Sequence, residues 1–252
     1  MVLQGRHALV TGGGRGIGRA IAAALTQAGA AVTVAGRGEG ALKDAVASGD
    51  AKAYTVADVT DEKALSAGVD KVAKTHGAID ILVANAGGAD SAPFARTAPD
   101  QFRRMFELNV IGTVNSAQVV LDGMMKRRNG RIVAIASTAG LKGYAYVSAY
   151  CTAKHAVIGL VRSLAAETAK SGVTVNAVCP GYTDTDLVRD SLARIAARTG
   201  RTREEALAEM LLAGAQQRLV RPQEIADAVL QLCSPEAATV TGTTVVVDGG
   251  QA

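Results

Sequence analysis

The chain has 252 residues, of which 48% are hydrophobic and 20% charged, with a net charge of +4. That length suits one sizeable domain spanning 1–252, and the apolar content excludes a disordered chain. Three cysteines and three histidines lie scattered without ligand spacing, which excludes a disulfide framework and a metal centre.

No apolar run nears the ~20 residues needed to cross a bilayer. The chain opens straight into a strand-like run without a basic-then-apolar leader, so a cytoplasmic protein with reduced thiols is expected, with no membrane partner. The densest basic run, 126–131, has no interleaved aromatics and reads as a solvated helix end rather than a nucleic-acid surface. A modest positive balance fits anionic small ligands such as phosphates.

Strand-like runs are predicted at 7–11, 31–35, 51–56, 79–84, 131–136, 173–179 and 243–247. Most are continuously apolar, as strands covered on both faces require. Helical patterns separate them at 17–28, 61–75, 99–127, 150–170 and 222–233. Such alternation predicts a doubly wound parallel sheet with helices on both faces and ligands beyond the strands' carboxyl ends.

Taken in order, the first loop is Thr11-Gly-Gly-Gly-Arg-Gly-Ile-Gly18, between a strand and a helix. Glycines let backbone approach a pyrophosphate, and the helix N-terminus supplies free N–H groups. The second strand ends in Gly36-Arg37-Gly38 with no acid to take ribose hydroxyls. Arg37, flanked by Arg15, offers a cation to a 2′-phosphate, or is a solvated loop charge. Asp58 follows the third strand; as a plain helix cap it is a poorer candidate than Thr60 or Asp61. After the fifth strand come Ser137 and then Tyr150 and Lys154, one helical turn apart on one face. A nearby ammonium lowers a phenol's pKa from about 10, so Tyr150, Lys154 and Ser137 form a constellation for moving a proton at an alcohol or carbonyl oxygen. The region 183–218 carries two amphipathic patterns, with apolar Leu187, Val188, Leu192 and Ile195, then Leu207, Met210, Leu211 and Leu212. Its arginines Arg189, Arg194 and Arg198 form a solvated face or receive a phosphate-bearing carrier.

Thr11-Gly12-x-x-x-Gly16-x-Gly18, Ala84-Asn85-Ala86-Gly87, Asn109, Ser137, Tyr150-x-x-x-Lys154 and Pro180-Gly181, in that order, resemble the short-chain dehydrogenase/reductase family over essentially the whole chain, through the 247–250 run. Ala84 departs from the asparagine of many relatives. The resemblance implies a Rossmann-type fold with a seven-stranded parallel sheet. It makes Tyr150 the general acid/base, with Lys154 binding the nicotinamide ribose and lowering the tyrosine pKa. It also gives Ser137 the substrate oxygen and Asn109 a water that links Lys154 to solvent. The implied cofactor contacts are Gly12, Arg15, Gly16, Ile17, Gly18, Arg37, Asp58, Val59, Asn85, Ala86, Gly87, Tyr150, Lys154, Pro180, Gly181, Thr183 and Thr185. Leu141, Tyr144 and Tyr146, with Ser137 and Tyr150, are implied to line the substrate pocket under a lid at 183–218.

The expected activity is hydride transfer between NADP(H), with NAD(H) as the alternative, and a secondary alcohol or ketone. A 3-hydroxyacyl or 3-oxoacyl thioester or similar hydroxy acid is the expected substrate. Other small ketones, sugars or steroids are the alternative, and a non-catalytic nicotinamide-binding regulator is the rival from another class. Family relatives also imply a homotetramer pairing through the helices at 99–127 and 150–170 and the C-terminal strand; Ala153, Ala156 and Gly159 would permit close approach there and are equally compatible with packing on the sheet.

Overall fold

In a computed structural model, residues 1–214 and 216–249 are described, apart from the side chains of Leu187 and Arg198. Gly250 of the C-terminal glycine pair and the side chains of Leu187 and Arg198 therefore lie outside the described residues.

Seven strands form one parallel sheet: β1 (His7–Thr11), β2 (Ala31–Gly36), β3 (Ala53–Val56), β4 (Ile81–Ala84), β5 (Gly130–Ile135), β6 (Val173–Pro180) and β7 (Thr244–Val247). Their order is β3-β2-β1-β4-β5-β6-β7, so the winding reverses between β1 and β4. Alternation along β4 shows how each face is filled. Leu82 packs with Leu9, Ile132 and Ala134 under one helical layer, while Ile81 and Val83 face the other with Val10, Val34 and Val133.

The first layer holds α3 (Glu62–His76), α5 (Gly112–Arg127) and α6 (Ser148–Thr168), and buries Leu65, Val120, Met124 and Val157. Across the sheet lie α1 (Gly16–Gln27), α2 (Glu39–Ala47) and α9 (Pro222–Cys233), with Ile21, Leu42, Ile225 and Val229 in the core. α2 is absent from the sequence reading: it is short, carries Gly40, and buries only Leu42 and Ala45. Asp61 caps α3 by accepting from Ala64 N at 3.0 Å.

The single helix expected over 99–127 is instead three pieces. α4 (Pro99–Phe106) runs into a π-helical turn at Glu107–Ile111 before α5 begins. Hydrophobic periodicity does not reveal one inserted residue's worth of unwinding, and such turns recur at functional sites. α7 (Asp186–Thr199) and α8 (Arg203–Gly214) are the two helices expected between β6 and α9. Leu192 and Ala206 are buried there, whereas Leu212 is 82% exposed, so the apolar face drawn through it is not the packed one.

Candidate active site

The carboxyl ends of β1, β4, β5 and β6 bring together the residues the sequence singled out. Behind β1, Gly12 (φ 65°) and Gly16 (φ 54°) take left-handed backbone that a side chain would strain. A Cβ on Gly18 would lie 2.3 Å from Gly12 O, which only glycine avoids. Asn85 holds this loop from the neighbouring strand, donating Nδ2 to Thr11 O (2.9 Å) and Gly12 O (3.3 Å). Thr11 Oγ1 accepts in return from Asn85 N and Ala86 N. The first turn of α1 has no acidic residue and no side-chain cap at Arg15, leaving its N–H groups to an anion. This is a cradle that fits a pyrophosphate, and Ile17 is half-buried within its wall.

Arg37 stands exposed at the end of β2, its guanidinium 3.7 Å from the Asp58 carboxylate. Asp58 Oδ1 accepts from Thr60 N and Thr60 Oγ1, and these bonds, with Arg37 nearby, lower its pKa despite the opposing effect of burial. Val59 is buried; its carbonyl accepts from Asn115 Nδ2 at 2.9 Å, a buried bond absent from the sequence reading. A polar residue within an apolar helical stretch was the available signal for Asn115.

On the other side of the switch point, Ser137 follows the end of β5, and its Oγ accepts from Ala139 N at 3.1 Å. Its hydroxyl lies beside the Tyr150 phenol and favours the phenolate. Lys154, 5% exposed, donates to Ile135 O at 2.8 Å and sits 5.7 Å from the Tyr150 ring centroid. The expected lowering of the tyrosine pKa is not what the protein alone provides. Burial pushes the Tyr150 phenol up to about 12, with Ser137 opposing only in part. Burial also brings the Lys154 ammonium down to about 8.

Asn109, 1% exposed, occupies the π turn. Its Nδ2 donates to Gly88 O (3.0 Å) and Met105 O (2.9 Å), and its Oδ1 accepts from Gly88 N (3.3 Å). A Cβ on Gly87 would come within 2.6 Å of Asn109 Oδ1 and 3.6 Å of Lys154 Nζ. The glycine therefore keeps open the approach to both.

Of the pocket residues, Leu141 and Tyr146 are exposed, and Tyr146 has a left-handed φ of 67°. Tyr144 is half-buried; its hydroxyl bonds Thr138 Oγ1 at 2.8 Å and its ring meets Tyr182 edge-on. Pro180 and Gly181 close β6, Thr183 Oγ1 donates to Gly181 O (3.0 Å), and Thr185 Oγ1 donates to Thr183 O (3.3 Å). On α7, Arg189 pairs with Asp184 and Asp186, and Arg194 Nη2 donates to Ser191. Arg189 is thus paired with two exposed carboxylates beside it, an arrangement in keeping with a solvated face.

A glycine loop that fits a pyrophosphate and a cluster of Ser137, Tyr150 and Lys154 at one edge of a doubly wound sheet are the arrangement of an oxidoreductase acting on CH–OH or keto groups. Residues 6–196 match the model of the short chain dehydrogenase family. The chain belongs to that family. It is 39% identical to a 3-oxoacyl-[acyl-carrier-protein] reductase of Vibrio harveyi, covering 99% of this chain and 98% of that protein. It is 40% identical to an acetoacetyl-CoA reductase of Shinella zoogloeoides, over 98% of both chains. Its structure resembles that of an actinorhodin polyketide ketoreductase variant with NADPH, with a TM-score of 0.90, 35% identity, and coverage of 97% of this chain and 96% of that one.

Proposed function

We propose that the enzyme transfers hydride between NADP(H) and a 3-oxoacyl or 3-hydroxyacyl thioester. The observation that carries this reading is the convergence of Ser137, Tyr150 and Lys154 on the same sheet edge as the glycine cradle. The thioester itself is supported by the two reductases to which the chain is most extensively similar among those described above.

The nicotinamide cofactor supplies the hydride when bound. Tyr150 Oη gives its proton to the substrate carbonyl oxygen during reduction and takes it back during alcohol oxidation. Ser137 Oγ donates to the same oxygen and holds it opposite Tyr150. Lys154 places a positive charge beside the phenol, which favours the phenolate left after proton transfer. Asn109 fixes the Gly87–Gly88 segment beside Lys154, so the path at Gly87 remains open to a water. Backbone N–H groups at Gly16, Ile17 and Gly18 take the pyrophosphate, with Gly12 giving it room. Arg37 and Arg15 take the 2′-phosphate of NADP(H), since no acid at Gly36 repels it. Asp58 and Val59 meet the adenine, and Asn85, Ala86 and Gly87 border the cofactor. Pro180, Gly181, Thr183 and Thr185 receive the carboxamide end. Leu141, Tyr144 and Tyr146 line the substrate side.

A second reading, reduction of other ketones, is favoured by the exposed apolar Leu141, Tyr146 and Leu212 at the loop and lid, which ask for no charged carrier. Oxidation of NADPH and of NADH with acetoacetyl-CoA, beside a panel of plain ketones, separates the two. Turnover of the thioester with NADPH supports the first reading; turnover of plain ketones alone replaces it with the second. Binding of cofactor with no turnover of any substrate would return the non-catalytic reading.

The proposed assembly is a homotetramer in the cytoplasm. Three free, buried cysteines suit a reducing compartment, and among the described residues no helix is long and apolar enough to cross a membrane. Phe102 and Phe106 form an incompletely covered apolar surface against Ala149, Thr152 and Ala153. Ala153 itself is buried, and Gly159 is exposed with open space above it. β7 is an edge strand with Val246 46% exposed.

A further inference from the structure

One buried amide joins the far end of the lid to the cofactor side of the cleft. Gln216, 6% exposed, lies just beyond α8 in no motif of the sequence. Its Oε1 accepts from Tyr182 N at 2.6 Å, and its Nε2 donates to Tyr182 O and Arg218 O, each at 3.2 Å. The amide's orientation is fixed by these partners, because a flip would set its NH₂ against Tyr182 N–H and its oxygen against two carbonyls.

The glycines around it leave it room. A Cβ on Gly181 would lie 2.6 Å from Gln216 Oε1, and one on Gly214 would lie 3.0 Å from the Tyr182 ring. Neither glycine has a positive φ, so space rather than backbone freedom is what each supplies. The contacts then close a ring. The Tyr182 ring meets Tyr144 edge-on at 5.9 Å, and the Tyr144 hydroxyl bonds Thr138, the neighbour of Ser137. Lys142 Nζ lies 5.3 Å from the Tyr144 ring centroid and donates to Gly214 O, at the end of α8, at 3.1 Å.

We propose that Gln216 is a positioning residue: it clamps the main chain at Gly181 and Tyr182 in the form that receives the nicotinamide end of the cofactor, and fixes the lid's hinge to it. The inference rests on the reading of Pro180 to Thr185 as a cofactor-binding segment. Without the amide, Tyr182 N–H loses its acceptor in a half-buried setting, and the segment moves to find another.

NADPH fluorescence titration of the full chain tests the clamp. Gln216→Leu, of similar volume without polar atoms, is expected to raise the NADPH Kd about tenfold. Its kcat at saturating cofactor should stay within about twofold, so the loss sits in KM. Gly181→Ala, which leaves Gln216 in place but pushes a methyl into it, is expected to raise Kd similarly. In a Gln216→Ala background, where the obstructing atoms are gone, Gly181→Ala should add no further rise. A wild-type Kd in Gln216→Leu, or independent effects of the two substitutions, overturns the clamp while leaving the cofactor reading intact. Failure of the wild-type chain to bind NADPH or NADH would overturn both.

Discussion

Tyr150, half-buried, and Lys154, buried, lie side by side, and desolvation acts on them in opposite senses. The phenol keeps its proton to about 12, while the ammonium loses its own near 8. At neutral pH the free enzyme is therefore loaded for reduction, with Tyr150 protonated and Lys154 charged. The kcat/KM for ketone reduction is expected to fall as pH rises through about 8, where Lys154 discharges. A profile that stays flat to pH 10 would contradict a depressed ammonium. Tyr150→Phe removes the transferable proton, and kcat should fall by at least about a hundredfold while NADPH still binds. Substantial remaining turnover would remove Tyr150 from the acid/base role. Arg37→Ala should weaken NADPH much more than NADH in the same titration; equal losses would show that Arg37 never meets a 2′-phosphate. The pairing of Tyr150 with Lys154 was legible because helical spacing fixes which residues share a face. The direction of the phenol's shift was not, because burial is a property of the assembled pocket and spacing alone suggests only the neighbouring charge.

At the scale of elements, the π turn between α4 and α5 places Asn109 where a regular helix would rotate it away. Three hydrogen bonds to Gly88 and Met105 depend on that side chain. Asn109→Ala leaves those buried backbone groups unpaired, and urea denaturation is expected to show a loss of about 2 kcal/mol. A loss near zero would mean that the segment simply repacks. The strands were readable nearly residue for residue, since continuous apolar runs of Val, Ile, Leu and Ala leave little doubt about a doubly covered sheet. α2 escaped because its two buried side chains give periodicity nothing to count. Asn115 and Gln216 escaped for a different reason: each binds main chain distant in sequence, and the amide's partners exist only after folding.

For the whole molecule, the alternation of strand and helix already implied the winding and hence the edge at which the site forms. Subunit number is a matter of surfaces, and sedimentation tests it: a tetramer is expected, and a monomer at all concentrations would discard the proposed pairing. Acid sensitivity has a specific source in His7, which is 2% exposed and bonded through Nδ1 to Gly77 O and through Nε2 to Thr33 Oγ1. Burial lowers its pKa below 6.5, outweighing the Gly77 bond and Asp80, with His76 adding to the lowering. The unfolded chain thus binds a proton that the folded one resists, so stability is lost as pH falls below about 6.5. Melting temperature should drop between pH 7.5 and 5.5, and His7→Gln should flatten that slope.

The point where the winding reverses also divides the chain's labour. The residues proposed for the pyrophosphate and adenine end of the cofactor (the glycine cradle, Arg37 and Asp58) precede β4, whereas those proposed for its nicotinamide end and for the substrate (Ser137, Tyr150, Lys154 and Pro180 to Thr185) follow it. The seam is the connection before α4, where Pro93, Phe94, Ala95 and Arg96 are all exposed. A gene exchange at that seam is expected to trade the preference for a 2′-phosphate between relatives, with the nicotinamide end still held by the second half.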